Sequence, residues 1–362
     1  MGPANYEDTF MLGRGNLRRF ISLHAGSEDT LTRNAARKIS LVTDWSGTGA
    51  AEIGACFFQD DVKEVLGLQK DCFEFYRASD ISKVCREVIL SHRSPPKHLM
   101  GDMLDRMPSD LKSELLDLLV EYKRRLRKRK RNNGRTGLVR ELGRAFIKEA
   151  WKLTKKALPR FHRTAHCYIC NKQCPIYPKR TGGLVIAFVG NTCLPWSSMG
   201  NRMGWLDDCS LEYLQFMGEI TVAKVDMFVN ECTRTFDHVA VQEMLKDTMI
   251  LEAAMTDPAM EGVPAHRPRL YVRGYRRETI TCEVPWSRND RIMAPVEHLG
   301  AQGFPVLLRE EHPAAQHCPR FFHRRGVSKH FRELAGISMH LIQVSEVLLF
   351  TLGGLRVIAN RS

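Results

Sequence analysis

The sequence predicts an α/β protein built on a doubly wound, Rossmann-like sheet that is interrupted by a mostly helical basic insertion. Three observations carry this expectation. The stretch ISLVTDWSGTGAAEIGACFF, from Ile39, passes from a β-branched apolar run through a Gly-rich turn into helix-forming residues. Two further units, CFEFYRASDISKVCREVILSH from Cys72 and KHLMGDMLDRMP from Lys97, repeat the pattern with an acid at each strand end, Asp80 and Asp102. The run GLVIAFV (183–189) then reads as a buried strand, and Cys193 falls just past its C-terminal end, where open α/β sheets place their chemistry.

Composition bounds the possibilities. At 362 residues, the chain is longer than one compact core requires, so a large domain with an insertion or small second lobe is expected. Its 43% hydrophobic and 26% charged residues suit a globular chain. No apolar run has the length of a membrane span, and MGPANYEDTF lacks a secretory pattern, so no membrane is expected as a partner. The 11 cysteines are scattered and odd in number, which favours a reducing compartment over a disulfide framework. A net charge of +13 points to an acidic partner, of which nucleic acid is the commonest, although basic proteins are often merely soluble.

In order along the chain, residues 1–38 are polar and of mixed sign and read as an irregular lead-in. Residues 39–108 form the first, ligand-binding half. There, Ser46, Gly47 and Gly49 allow a backbone to approach a ligand while the following helix N-terminus offers free amides. Asp80 reads either as an acceptor for ribose hydroxyls or as a helix N-cap. Residues 109–182 form the insertion. A helix capped by Ser109 or Asp110 runs into the basic block Lys123 to Arg131, and a second follows in LVRELGRAFIKEAWKLTKKAL. Between positions 112 and 180 about twenty Lys and Arg face five acids, so this part reads as a phosphate-contacting arm, as a solvated insertion doubling as a nuclear import signal, or as both. The nucleus is the expected location, with the cytoplasm as the alternative. Within the insertion, Cys167 and Cys170 form a CxxC pair, with Cys174 after it and His162 and His166 before it. Cys167, Cys170, Cys174 and His166 could complete a tetrahedral structural zinc site, or the thiols could be reduced and partly buried.

Residues 183–271 form the catalytic half. Cys193 lies on the tight loop GNTCLPWSSMGNRMGWLDD, Glu231 near the end of a strand in AKVDMFVNECTRTF, and Arg267 and Arg269 two apart in GVPAHRPRLYVRGY. A thiol near an acid and two arginines is an arrangement for nucleophilic attack followed by protonation.

These pieces, in this order, resemble the cytosine carbon-5 methyltransferases. In that family a Pro-Cys-Gln loop carries the nucleophile, a Glu-Asn-Val strand end the acid, and a Gln-x-Arg-x-Arg strand the arginines. Here Thr192-Cys193-Leu194 is followed by Ser197, Gly200, Gly204 and Asp207 at family-like spacing, then by Glu231, Arg267 and Arg269. EHLGAQGFPV, from Glu297, is similar to the Gln-Gly-Phe-Pro segment, and ELAGISMHLIQVSEVLLFTL to the final turn and helix. The resemblance implies a class I methyltransferase sheet, adenosylmethionine as cofactor, and DNA as substrate. It adds Asp44 and Ser338 to Ser46, Gly47, Gly49, Asp80 and Asp102 as cofactor-binding positions. It also assigns Cys193 as the nucleophile toward cytosine carbon-6, Glu231 as the acid at ring nitrogen 3, and Arg267 and Arg269 as carbonyl or phosphate clamps.

Departures from the family pattern are Thr192, Leu194, Cys232, Ala265 and Ile337. Residues 272–296 form a much reduced target-recognition segment, too short to read several bases in a major groove, so little sequence specificity is expected. Residues 297–362 return to the core. An RNA cytosine methyltransferase is the alternative enzyme reading, and a methyltransferase-like nucleic-acid binder without turnover is the non-enzymatic one.

Overall fold

The computed structural model describes residues 12–129, 135–180, 182–257, 268–282 and 341–357. The first half runs α1 (Leu12–Leu23), α2 (Ser27–Ala35), β1 (Ile39–Asp44), α3 (Ala50–Leu66), β2 (Phe73–Ser79), α4 (Lys83–Leu90) and β3 (His98–Met100). Two long helices, α5 (Ser109–Arg129) and α6 (Arg135–Ala157), precede a hairpin of β4 (Thr164–Cys167) and β5 (Lys172–Pro175). The chain then re-enters the sheet through β6 (Leu184–Val189), α7 (Cys209–Val222), β7 (Met227–Thr233), α8 (His238–Leu245), β8 (Met249–Thr256) and β9 (Arg269–Arg276). The last described elements are β10 (Ile280–Cys282), α9 (Leu341–Gly354) and β11 (Leu355–Val357).

Seven strands form the central sheet in the order β3-β2-β1-β6-β7-β9-β8. The first five are parallel, and β9 pairs antiparallel with both β7 and β8. The chain winds outward from β1 to β3 and then returns to lay β6 on the other side of β1. That reversal is the switch point at which doubly wound sheets hold ligands. The expected doubly wound Rossmann-like sheet is thus the observed one.

Alternation along the strands explains why both faces are covered. Leu184, Ile186 and Phe188 of β6 belong to one core cluster, and Val185, Ala187 and Val189 to the other. A strand buried on both sides reads as continuous apolar sequence, as GLVIAFV does.

Two expectations need correction. The lead-in is helical: Leu17, Phe20 and Leu31 are buried with α3 and α9, and Asn34 donates through Nδ2 to the Leu352 carbonyl at 2.6 Å. Its overall polarity conceals a narrow apolar stripe. The insertion, likewise, does not depart from the compact fold near Pro108. Leu111, Leu115, Leu119, Tyr122 and Leu126 of α5, together with Phe146, Ile147 and Trp151 of α6, join the same core as β6 and β7. Each fully buried leucine of this set contributes about 1.5–3 kcal/mol, so these helices are structural as well as basic. The strand β9 also extends to Arg276, placing the start of the expected recognition segment inside the sheet.

Candidate active site

The C-terminal ends of the parallel strands converge on a cavity of about 380 Å³. The Gly47 turn comes from β1, Asp80 from β2, Gly101 and Asp102 from β3, Asn191, Thr192 and Cys193 from β6, and Glu231 from β7. Arg269 reaches the same edge because β9 runs antiparallel, so its first residue sits opposite Thr233 at the end of β7. Glu231 faces Tyr271, two residues from Arg269, which puts the acid and the guanidinium on one face as diagonal neighbours. They form an ion pair with Arg269 Nε 2.7 Å from Glu231 Oε1.

Cys193 is exposed, on a loop braced from within. Its carbonyl accepts from the Trp196 and Ser197 amides at 3.0 and 2.8 Å. A Cβ at Gly200 would lie 1.7 Å from the Leu194 carbonyl oxygen, so only glycine permits this return of the chain. Trp196 packs edge-on against Trp205 and Phe236, with centroids 5.0 and 5.1 Å away. Asp207 accepts from the Cys209 amide at 3.0 Å and closes the loop into α7. The Ser, Gly and Asp spacing noted in sequence is therefore the internal bracing of the Cys193 loop.

The glycine turn is fixed from both sides. Asp80 accepts from the Gly47 amide at 2.8 Å and from the Ser82 amide at 2.8 Å, and burial raises its carboxyl above the ordinary value. Gly49 takes a left-handed φ of 78°, and a Cβ there would lie 2.1 Å from the His92 ring. Asp102 accepts from the Leu104 amide at 2.8 Å, capping a short turn, and its residue borders the cavity.

Two expected cofactor ligands are placed elsewhere. Asp44 is fully buried: Arg77 donates to both its oxygens at 2.6 and 2.8 Å, and Arg106 donates at 2.9 Å. Burial alone would raise this carboxyl, but the two guanidiniums outweigh it and hold it well below the usual carboxylate range. Its two oxygens are committed to the core, and it does not border the cavity. Ser46 is also buried, its Oγ 2.7 Å from Thr43 Oγ1 and accepting from the Ser79 amide at 2.9 Å, so it ties β1 to β2. Arg267 and Ser338 lie outside the described residues.

The cavity also exposes residues that sequence reasoning missed. Trp45, at a left-handed φ of 48°, donates through Nε1 to Glu212 Oε2 at 2.7 Å, and both residues border the cavity. Burial raises the Glu212 carboxyl. Asn191 is buried, and its Oδ1 has no hydrogen-bond partner among the described residues. The available signal was position alone: Asn191 lies two residues before Cys193, and Glu212 lies in the first turn of the helix after its loop.

The cysteines of the insertion converge as a group, but with a different histidine. Cys167, Cys170 and Cys174 gather around His98 of β3, whereas His166 points to solvent and contacts the Tyr168 ring at a centroid distance of 5.3 Å. Antiparallel pairing of β4 with β5 brings Cys174 back beside the CxxC pair.

Sheet order, switch-point cavity and strand-end acids define a doubly wound Rossmann-like fold. No family model matches the sequence, and no curated protein does. Among solved structures, the chain is similar to the Schizosaccharomyces pombe Dnmt2 methyltransferase at 11% identity and a TM-score of 0.42, over 87% of this chain and 98% of that one. It is similar to a Spodoptera frugiperda DNMT2 variant at 15% identity and a TM-score of 0.36, over 72% of this chain and 55% of that one. For the Entamoeba histolytica methyltransferase EhMeth the values are 11%, 0.36, 73% and 59%. The chain thus spans little more than half the length of the latter two. Likenesses this remote carry no functional argument.

Proposed function

We propose that this protein transfers a methyl group from adenosylmethionine to carbon-5 of cytosine in nucleic acid, with DNA as the expected substrate and Cys193 as the nucleophile. The observation that carries the reading is the meeting of Cys193, Glu231 and Arg269 with the Gly47 turn, Asp80 and Asp102 around one cavity.

The cofactor suits this donor set. Carboxylates at Asp80, Asp102 and Glu212 match the hydroxyl and amino groups of a positively charged nucleoside. The buried Asn191 Oδ1, which has no partner among the described residues, is an acceptor in need of a donor. Gly47, Asp80, Asp102 and Asn191 would hold the cofactor, whose bound sulfonium supplies an electrophilic methyl group.

The chain's own residues provide the rest. The Cys193 thiol releases its proton, by way of solvent, to the Glu231 carboxylate, and the sulfur adds to cytosine carbon-6, which makes carbon-5 nucleophilic. Glu231 takes up the proton that the thiol releases and donates it at ring nitrogen 3, and so drains charge from the adduct. Arg269 fixes the Glu231 carboxyl through their ion pair, and Arg267 is assigned to the ring carbonyl on the resemblance. Once carbon-5 is methylated, its proton passes to solvent, the electron pair re-forms the 5,6 double bond, the Cys193 thiolate departs, and ring nitrogen 3 returns its proton to Glu231. In a duplex, the base must first leave the stack to meet a sulfur on this edge.

The test is transfer of tritium from methyl-labelled adenosylmethionine to poly(dI-dC) and to folded RNA, by the wild type, Cys193→Ala and Glu231→Gln. The expected outcome is incorporation into DNA that Cys193→Ala abolishes and Glu231→Gln lowers by about 10²–10⁴-fold. Incorporation into RNA alone would move the substrate to the alternative reading. Undiminished transfer by Cys193→Ala would overturn the mechanism.

A further inference from the structure

Cys167, Cys170, Cys174 and His98 place their ligand atoms within 4.8 Å of one another. The imidazole Nδ1 of His98 is 3.7 Å from Cys167 Sγ and 3.6 Å from Cys170 Sγ. A tetrahedral zinc ion with Zn–S of about 2.3 Å and Zn–N of about 2.0–2.1 Å sets neighbouring sulfur and nitrogen ligands about 3.5–3.6 Å apart. The observed separations therefore match the edge of a coordination tetrahedron.

The surroundings fit the same chemistry. The Leu99 and Cys170 amides donate to Cys167 Sγ at 3.4 and 3.5 Å, so the backbone holds this sulfur in a fixed orientation. Asn171 takes a left-handed φ of 50°, and its amide donates to the Cys167 carbonyl at 2.8 Å, which turns the chain tightly enough to aim both CxxC sulfurs one way. Cys167 and Cys174 are buried, and all three cysteines are free thiols rather than disulfide partners. Three soft sulfurs and one imidazole make a closed four-ligand set, which selects zinc over the oxygen-seeking divalent ions and leaves no open position for catalysis.

We propose that these four residues bind one structural zinc ion that fastens the β4–β5 hairpin to the edge strand β3. The placement gives the ion a purpose. Strand β3 is short, and the hairpin docks against it through the Tyr168 amide, which donates to the Leu99 carbonyl at 2.7 Å. Tyr168 then lies under the Arg86 guanidinium, 4.4 Å from the ring centroid, and its hydroxyl would be 3.1 Å from a Cβ at Gly101. Gly101 and Asp102 border the active-site cavity, so the ion holds one wall of it from behind.

The experiment measures metal, independently of any methyl transfer. The full chain, purified under reducing conditions from zinc-supplemented medium, should carry one equivalent of zinc by elemental mass spectrometry. Cobalt(II) substitution should give the intense visible bands of a tetrahedral thiolate site. His98→Ala should lower metal affinity by more than about tenfold, while His166→Ala should keep the full equivalent and an unchanged spectrum. His98→Cys supplies a fourth sulfur, so it should keep one equivalent with the cobalt bands moved to longer wavelength; this variant decides the matter if His98→Ala fails to fold. Wild type without stoichiometric zinc, or a His98→Cys cobalt spectrum identical to wild type, would overturn the assignment.

Discussion

Glu52, in the first turn of α3, illustrates how a single side chain beneath the site couples to pH. It is buried, its Oε1 accepts from Thr43 Oγ1 at 2.5 Å, and its Oε2 has no partner among the described residues. Burial pushes its carboxyl from 4.5 up to about 7. The native chain therefore keeps a proton there that the unfolded chain releases. That contribution to stability is fully present below about pH 4.5 and is lost as pH rises through about 7. His92 works in the opposite direction: burial pushes it down to about 4, so its contribution is lost as pH falls through that value. Because the two windows overlap, the informative quantity is a difference between variants. Glu52→Gln should gain on the wild type as pH rises from 4.5 to 7, by up to about 3 kcal/mol in urea unfolding. A gap that does not change with pH would show that Glu52 titrates normally in the fold.

At the scale of elements, α6 turns one face to the core and another to solvent. Trp151 donates through Nε1 to the Met244 carbonyl at 2.9 Å, and Phe146 is fully buried, while Lys148, Lys152 and Lys155 are exposed on successive turns. With Arg144 and Lys246 they border a groove of about 360 Å³ between α6 and α8. Such a row suits a phosphate backbone better than a base edge, since it supplies point charges and no planar pairing geometry. Reversing all three lysines to glutamate should weaken nucleic-acid binding and flatten the dependence of log affinity on log salt by about 3 units, as read from titrations at several ionic strengths. A slope equal to that of the wild type would assign the row to solubility alone. The helices themselves were legible from apolar spacing, but their role was not. Leu111, Leu115 and Leu119 would look the same on a free-standing helical hairpin, and only their tertiary partners place them in the main core. His98 was hidden for the same reason: its distance along the chain from the CxxC pair is closed by sheet and hairpin packing, whereas His166 was simply nearby in sequence.

For the whole molecule, the grouping of strand-end residues was legible because a doubly wound sheet collects its C-terminal edges. Gly47, Asp80, Asp102, Cys193, Glu231 and Arg269 are scattered in sequence yet border one cavity. Asp44 failed as a ligand because the same logic ignores the core: two buried arginines, Arg77 and Arg106, need an anion more than a solvated pocket does. The lead-in was illegible because its apolar residues are few and make sense only once α9 returns from the other end of the chain. There the packing is close. A Cβ at Gly353 would lie 2.5 Å from the Phe20 ring, and α1, α2 and α9 together cover α3, the helix that starts at the glycine turn. Phe20→Ala should therefore cost about 3–5 kcal/mol in denaturant unfolding, and the loss should reach the cavity. Adenosylmethionine, if it binds as proposed, should do so more weakly in proportion to the unfolded fraction, and saturating cofactor should recover part of the lost stability by mass action. A stable Phe20→Ala protein would mean that the first two helices rest on the core without holding it, and that α3 is positioned by the sheet alone.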